Sequence, residues 1–345
     1  MKKLLYLFGL LITTQIWSQG RDPRMAQFDF VPGEIIVKLS DDIDTQTTYG
    51  ADGRATSDFD IAGYLELEGM VTTSKVMFHQ RSIEASIINS QRISRENAAR
   101  SASNPNNGYV PSTPLTMKNI FVLSIDQSQG QTQGDVLSII NRIKNRPGVV
   151  YAEPNYNFHI DDFKLGAVIT KEEAEAMAAN TSSSPLLNPL TPDDPLFGQQ
   201  SNITATNIDD VWGDYTTGDG SQVIAVLDTG VDYTHPDLEA NIWINEAELN
   251  GVPDFDDDGN GFVDDVRGWD FINIDNAPLD DNMHGTHVAG IAGAVGNNSI
   301  GIAGAAWNVK LMPIKVFQST GVGNSTTIAE GVEYATNNGA TILNM

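Results

Sequence analysis

Val223-Ile224-Ala225-Val226-Leu227 is an unbroken apolar run that stops on Asp228-Thr229-Gly230. An alternating pattern would leave one face of the strand to water. An unbroken one demands cover on both faces, which a parallel sheet flanked by helices provides. Trp269 to Ile272 and Val309 to Val316 read as further strands, the second containing Pro313, and Ala340 to Met345 begins a fourth. His284 to Val295 is rich in Ala and Gly, with Val288, Ile291 and Val295 apolar, and reads as a close-packed helix. Asn324 to Ala335 reads as another, opened by the polar residues Asn324, Ser325, Thr326 and Thr327. Strands alternating with helices predict an α/β fold from about residue 193: a parallel sheet with helices on both faces and right-handed crossovers. The chain ends inside an apolar strand whose following unit is missing, so the expectation is a truncated sequence with an incomplete sheet.

Upstream the pattern differs. Residues 29–160 predict a small α+β unit of ferredoxin-like type. Val31 to Leu39, carrying Pro32-Gly33, and Ile120 to Ile125 are strands. Asp135 to Asn145 is a helix, with Val136, Ile139, Ile140 and Ile143 at i, i+3, i+4, i+7, closed by Pro147-Gly148; Val149, Val150 and Tyr151 start another strand. Gln91 to Asn107 reads as an exposed loop. Residues 161–192 read as a linker, with a short helix over Lys171 to Asn180 and a Ser/Pro/Asn-rich stretch from Thr181 to Pro192. At the N-terminus, Lys2 and Lys3 precede an apolar run from Leu4 to Ile12, then small or polar residues from Thr13 to Gln19. That order predicts a secretory signal peptide over residues 1–19, cleaved near Ser18 to Gly20, and hence a protein outside the cytoplasm. A span would need roughly 20 apolar residues.

Charge separates the two halves. The 345-residue chain has a net charge of −25, and residues 161–345 hold 29 Asp or Glu against 5 Lys or Arg. So acidic a second half repels phosphate and argues against a nucleic-acid partner, while it suits cations. With no cysteine in the chain, disulfides and thiolate chemistry are excluded.

Asp228 closes a parallel strand, and functional groups gather at the carboxyl ends of such strands. Asp-Thr-Gly alone is weak: it also occurs in aspartic proteases, where two carboxylates share a proton, and a turn-capping aspartate has the same look. His284-Gly285-Thr286-His287-Val288-Ala289-Gly290 is more specific. It puts a histidine at a helix start, followed by small residues that let another backbone approach. His284 and His287 at i, i+3 are also compatible with a metal pair or a structural pair, although the His-Glu-x-x-His spacing and its Glu base are absent.

Together these motifs resemble the subtilisin-like serine proteases, or subtilases. The resemblance spans about residues 190–345 and rests on Val226 to Asp232, His235-Pro236-Asp237-Leu238, His284 to Gly290, and Asn297-Asn298-Ser299-Ile300-Gly301. It implies that Asp228 is the triad aspartate and His284 the triad histidine, with His235 and His287 structural. It implies that Gly321, Val322 and Gly323 form an edge that pairs with bound peptide as an added strand. The implied nucleophile lies in a Gly-Thr-Ser-Met-Ala segment. No Gly-Thr-Ser occurs among residues 1–345, so the serine and the oxyanion asparagine are expected past Met345 and the segment alone is expected to be inactive. Residues 29–160 are similar, through Pro32 to Val37 and Val149 to Asn155, to the inhibitory propeptide of these enzymes. The implied partners are protein or peptide substrates and the chain's own propeptide. The competing reading is a non-catalytic calcium-binding or adhesion protein.

Asp254, Asp256, Asp258 and Asn260 alternate along a loop, with Gly259 at position six and Asp265 at position twelve. The spacing matches an EF-hand calcium loop with Asp in the last place; a solvated acidic loop is the alternative. The resemblance implies a second Ca2+ site from Asp194, Asp237 and Asn298 with the carbonyls of Gly296, Ile300 and Ile302.

Overall fold

The computed structural model describes residues 29–50, 54–78, 82–84, 86–87, 90, 116–126, 133–160 and 189–345. The expected signal peptide, the Gln91 to Asn107 loop and the Lys171 to Asn180 helix lie outside these residues.

The N-terminal unit is built on β1 (Phe30–Leu39), with a small hairpin of β2 (Thr47–Tyr49) and β3 (Ala55–Ser57) beside it. β4 (Val71–Val76) and β5 (Ile120–Ile125) follow, then helix α1 (Gln133–Ile143) and β6 (Val149–His159). Their order is β6-β1-β5-β4, every neighbour antiparallel. With the short helix Ile61–Tyr64 lying between β3 and β4, that is the split β-α-β-β-α-β arrangement. Residues that pair across strands share a face. One face places Val37, Phe121 and Ala152 in a row, and Val136, Ile139, Ile140 and Ile143 of α1 join the same buried cluster. The apolar positions of α1 recur at helical spacing, which is why this stripe is the buried one.

The second half is a parallel sheet of order β11-β7-β9-β8. β7 (Val223–Asp228) is followed by the short helix α2 (Glu246–Leu249), β8 (Trp269–Asp270), helix α3 (His284–Gly293) and β9 (Lys310–Lys315). β10 (Val322–Asn324), helix α4 (Ser325–Asn337) and β11 (Ile342–Asn344) complete it. The unbroken apolar runs serve two faces. Ile224, Val226 and Leu311 pack with Ala289 of α3. Ala225, Leu227, Met312 and Ile314 pack with Val332, Tyr334 and Ala335 of α4. Burying a residue of this size contributes about 1.5–3 kcal/mol, so both helices are held by the sheet. β8 joins β9 only at Ile314 and Lys315, past Pro313. α4 starts on a capping box: Asn324 Oδ1 accepts the N–H groups of Thr326 and Thr327, and Thr327 Oγ1 accepts the Asn324 N–H.

The two halves share a sheet edge. β10 pairs antiparallel with β6, Val322 opposite His159, Gly323 opposite Phe158 and Asn324 opposite Asn157. The Ile160 N–H donates to the Gly321 carbonyl at 3.0 Å. The face opposite α1 carries the row Lys75, Val122, Ile36, Glu153 across β4, β5, β1 and β6, and Lys75 is ion-paired with Glu330 of α4. Asn155 Oδ1 accepts the Thr326 N–H at 3.2 Å, so a residue of β6 shares in capping α4.

Candidate active site and metal sites

Asp228 is the last residue of β7, and His284 the first of α3. The His284 ring nitrogen Nδ1 lies 2.7 Å from Asp228 Oδ1 and 2.9 Å from Oδ2. The Asp228 side chain is 6% exposed and that of His284 20%, so the carboxylate is shielded and the ring reaches the surface. Asp228 Oδ1 also accepts the Thr229 N–H at 2.7 Å. The close approach depends on Gly285. A Cβ there would stand 2.0 Å from the Gly230 carbonyl oxygen and 3.0 Å from Asp228 Cβ. Lys315, in register with Asp228 on β9, is buried and donates to the Thr229 carbonyl at 2.6 Å and to Asp281 Oδ1 at 2.5 Å. A buried ammonium needs such partners; these two tie the end of β7 to the loop before His284.

His284 lines a cavity of 1350 Å³ shared with Asn282, His287 and Gly321 and with His159 and Ile160 from the N-terminal unit. Val322 and Gly323 lie in β10 and Gly321 precedes it; all three face the chain of β6 in the strand pairing already described. His235 also lines the cavity, and its Nδ1 accepts the Asp237 N–H at 3.2 Å.

Asp194, Asp237 and Asn298 come together. Asp237 Oδ1 accepts from Asn298 Nδ2 at 2.9 Å and Oδ2 from the Ile302 N–H at 3.0 Å. Asp194 Oδ2 accepts the Asn297 N–H at 2.6 Å, while its buried Oδ1 has no hydrogen-bond partner. Asn298 Oδ1 accepts the Ile300 N–H at 2.8 Å. An orphaned buried carboxylate oxygen is costly unless a cation or water meets it, which fits an oxygen-ligated cation here.

In the acidic loop, Asp256 and Asp258 lie with Glu248 of α2, their ligand atoms within 4.8 Å of one another. Asp254 and Asp265 are not in this group. Asp254 is exposed, with its N–H on Asp264 Oδ2 at 2.8 Å. Asp265 is fully buried and accepts from Tyr334 Oη at 2.5 Å, Asn245 Nδ2 at 2.8 Å and Asn260 Nδ2 at 3.0 Å. Burial pushes its carboxyl up to about 7 against those hydrogen bonds. It anchors the loop to α4, and Asn260 is spent on the same anchor. Three carboxylates within reach of one another suit a hard cation.

Sequence reasoning missed Glu248, Lys315 and Asp280, the last of which accepts five hydrogen bonds around His284. An aspartate four residues ahead of a helix-start histidine is a signal that points to Asp280. No spacing rule links Glu248 to the loop.

An aspartate holding a histidine at the carboxyl end of a parallel strand, before an open cavity, is an arrangement that can serve as the acid–base half of a nucleophilic hydrolase site. Residues 219–345 match the family described as Subtilase family. The chain is 35% identical over 213 residues to a thermophilic serine proteinase of Bacillus sp. strain AK1, covering 61% of this chain and 40% of that protein. It is 45% identical over 121 residues to subtilisin-like protease 1 of Plasmodium falciparum, 35% of this chain and 18% of that one. Against thermitase of Thermoactinomyces vulgaris the identity is 36% over 156 residues, 45% and 47% of the two chains. The crystal structure of fervidolysin from Fervidobacterium pennivorans aligns over 94% of this chain and 36% of that one, with 18% identity and a TM-score of 0.43. The chain thus spans under half the length of these relatives. Among the described residues, no helix is long and apolar enough to cross a membrane.

Proposed function

We propose that the chain is the front part of the precursor of a secreted, calcium-dependent serine endopeptidase. The observation that carries this is the 2.7 Å contact between His284 Nδ1 and Asp228, opening on the cavity beyond. In this reading His284 Nε2 takes the proton of a serine hydroxyl as its oxygen attacks a peptide carbonyl. It then returns that proton to the leaving amine. Asp228 fixes the tautomer and stabilises the imidazolium. The serine is expected in the Gly-Thr-Ser-Met-Ala segment that residues 1–345 do not contain; among the described residues lining the cavity there is no serine.

Residues 29–160 act as the inhibitory propeptide, 161–192 as its linker and 193–345 as the first part of the catalytic domain. The pairing of β6 with β10, and the entry of His159 and Ile160 into the cavity of His284, support this. A substrate would take the place of that strand along Gly321, Val322 and Gly323. The segment of residues 1–19 directs secretion. Calcium would be held by Asp194, Asp237 and Asn298, with carbonyls of Gly296, Ile300 and Ile302, and by Glu248, Asp256 and Asp258. Its contribution is charge neutralisation in the folded loops; bond cleavage is left to Asp228, His284 and the serine.

In the full-length protein, His284→Ala is expected to lower kcat on the order of 10⁶-fold, a scale that comes from subtilisin itself. Asp228→Asn should cost on the order of 10⁴, through the wrong tautomer. Residues 1–345 alone should cleave nothing. Peptide hydrolysis assays decide it: near-normal turnover by His284→Ala sinks the assignment and favours a non-catalytic calcium-binding protein or another hydrolase class.

A further inference from the structure

Asp280 lies in the loop ahead of α3, and its carboxylate gathers donors from both sides of His284. Oδ1 accepts the Thr229 hydroxyl at 2.8 Å and the N–H groups of Asn282 and Met283, each at 2.9 Å. Oδ2 accepts the N–H of Thr286 at 2.8 Å and its hydroxyl at 2.6 Å. Thr229 closes the ring. Its Oγ1 accepts the Gly285 N–H at 3.0 Å, and its own N–H donates to Asp228 Oδ1 at 2.7 Å. The residues on either side of the histidine, 283 and 285, are therefore tied through Asp280 and Thr229 to the residue that follows the aspartate.

α3 needs such a brace. Its N-cap, Met283, is left-handed at φ 82° and caps nothing with its side chain. A positive φ at an unbranched non-glycine residue persists only where its surroundings enforce it. The first-turn N–H groups of a helix must find an acceptor, and Asp280 serves the N–H of Thr286 from outside the helix. Burial opposes the charge of Asp280, but the hydrogen bonds from Thr286, Asn282 and Thr229 more than offset it and hold the carboxyl below its usual range.

We propose that Asp280 is a positioning residue that sets the ring of His284 against Asp228, acting through Thr229, Met283 and Thr286. This rests on reading Asp228 and His284 as the catalytic pair. Asp280 touches neither of their side chains in the hydrogen bonds above, so its contribution is geometric. An imidazole displaced by about 1 Å can cost on the order of 10²-fold in rate.

The test is Asp280→Asn in the full-length protein. Whichever way the amide turns, its nitrogen faces at least two donors in place of an acceptor. The expected result is a kcat lower by about 10- to 100-fold with KM within about twofold, together with a shifted or broadened low-field Nδ1 proton resonance of His284 in the NMR spectrum. Thr286→Ser, which keeps both donors and the hydroxyl that accepts the Asp232 N–H, should match the parent in both readouts; Thr286→Val, which loses the hydroxyl and with it the bonds to Asp280 and from the Asp232 N–H, should move both in the direction of Asp280→Asn. If Asp280→Asn does not fold, the Ser and Val pair carries the test. An unchanged kcat and an unmoved Nδ1 resonance in Asp280→Asn, or in Thr286→Val, would overturn the proposal. Failure of the catalytic reading looks different: His284→Ala stays active, while the Nδ1 resonance still reports on Asp280.

Discussion

Gly285 stands where a side chain has no room. Within a helix, Gly→Ala ordinarily stabilises by about 1 kcal/mol. Here the added Cβ meets the backbone oxygen of Gly230, with the Cβ of Asp228 also close, and neither is the end of a flexible side chain. The cost of such overpacking, about 1–3 kcal/mol, outweighs the gain. Gly285→Ala is therefore expected to lower the melting temperature of the protein and to separate His284 from Asp228. Calorimetry and turnover measured together check it, and an unchanged or raised melting temperature would show that the strand end yields. At this scale Asp228 and His284, which the structure brings into contact, could be singled out in the sequence because each sits in a contiguous motif with small residues that permit close packing. Asp280 had a signal in its spacing from His284 that went unread, whereas Glu248 was not legible, because its place beside Asp256 and Asp258 arises only once α2 and the loop have come together.

Among the elements, β7 was readable from its unbroken apolar run, α1 from its apolar spacing and α4 from its polar start, both helices within a few residues of their observed ends. The run from Trp269 to Ile272 yields only the two-residue β8, since Ile272 and Asn273 turn back to donate to Asp270. The acidic loop shows a different limit. The position code of an EF-hand selected Asp254 and Asp265, but the loop is bounded by no pair of helices in the EF-hand manner. Asp265 is drawn instead into the core by Tyr334. Asp256 and Asp258 remain beside Glu248, and these are where calcium should act. An ion bound only by the folded state stabilises by about 2.7 kcal/mol at a hundredfold excess over Kd. Asp256→Asn combined with Asp258→Asn should therefore shrink the rise in melting temperature that calcium produces over a chelator. Asp194→Asn should do the same at the other site. A double mutant with the full calcium-induced rise would leave the loop as solvated acidic surface. Glu248→Gln is a poorer probe, because Glu248 also accepts the N–H groups of Asp257, Asp258 and Asp264.

At the scale of the whole molecule, the N-terminal sheet lies on α4 through an acid-rich seam. The row containing Glu153 ends in Lys75, already paired with Glu330; Glu34 accepts from Asn155, and Glu333 is buried on α4. Burial pushes the Glu153 carboxyl up to about 7, and burial with the nearby Glu153 charge raises Tyr151 and Tyr156 as well. The folded chain thus keeps a proton that the unfolded chain, with a carboxyl near 4.3, releases. Stability from this group is full below about pH 4.3 and is lost as pH rises through about 7. The melting temperature is expected to fall over that window, and Glu153→Gln should flatten its own share of the decline; parallel curves for parent and variant would remove Glu153 from the account. The pairing of β6 with β10 bears on a stage before any of this chemistry. A bare strand edge is a template for whichever extended segment arrives first, including another copy of the same nascent chain. Because β6 is made earlier on the ribosome than β10, the edge of β10 finds its intramolecular partner already present when it emerges, and edge-to-edge aggregation through β10 is forestalled.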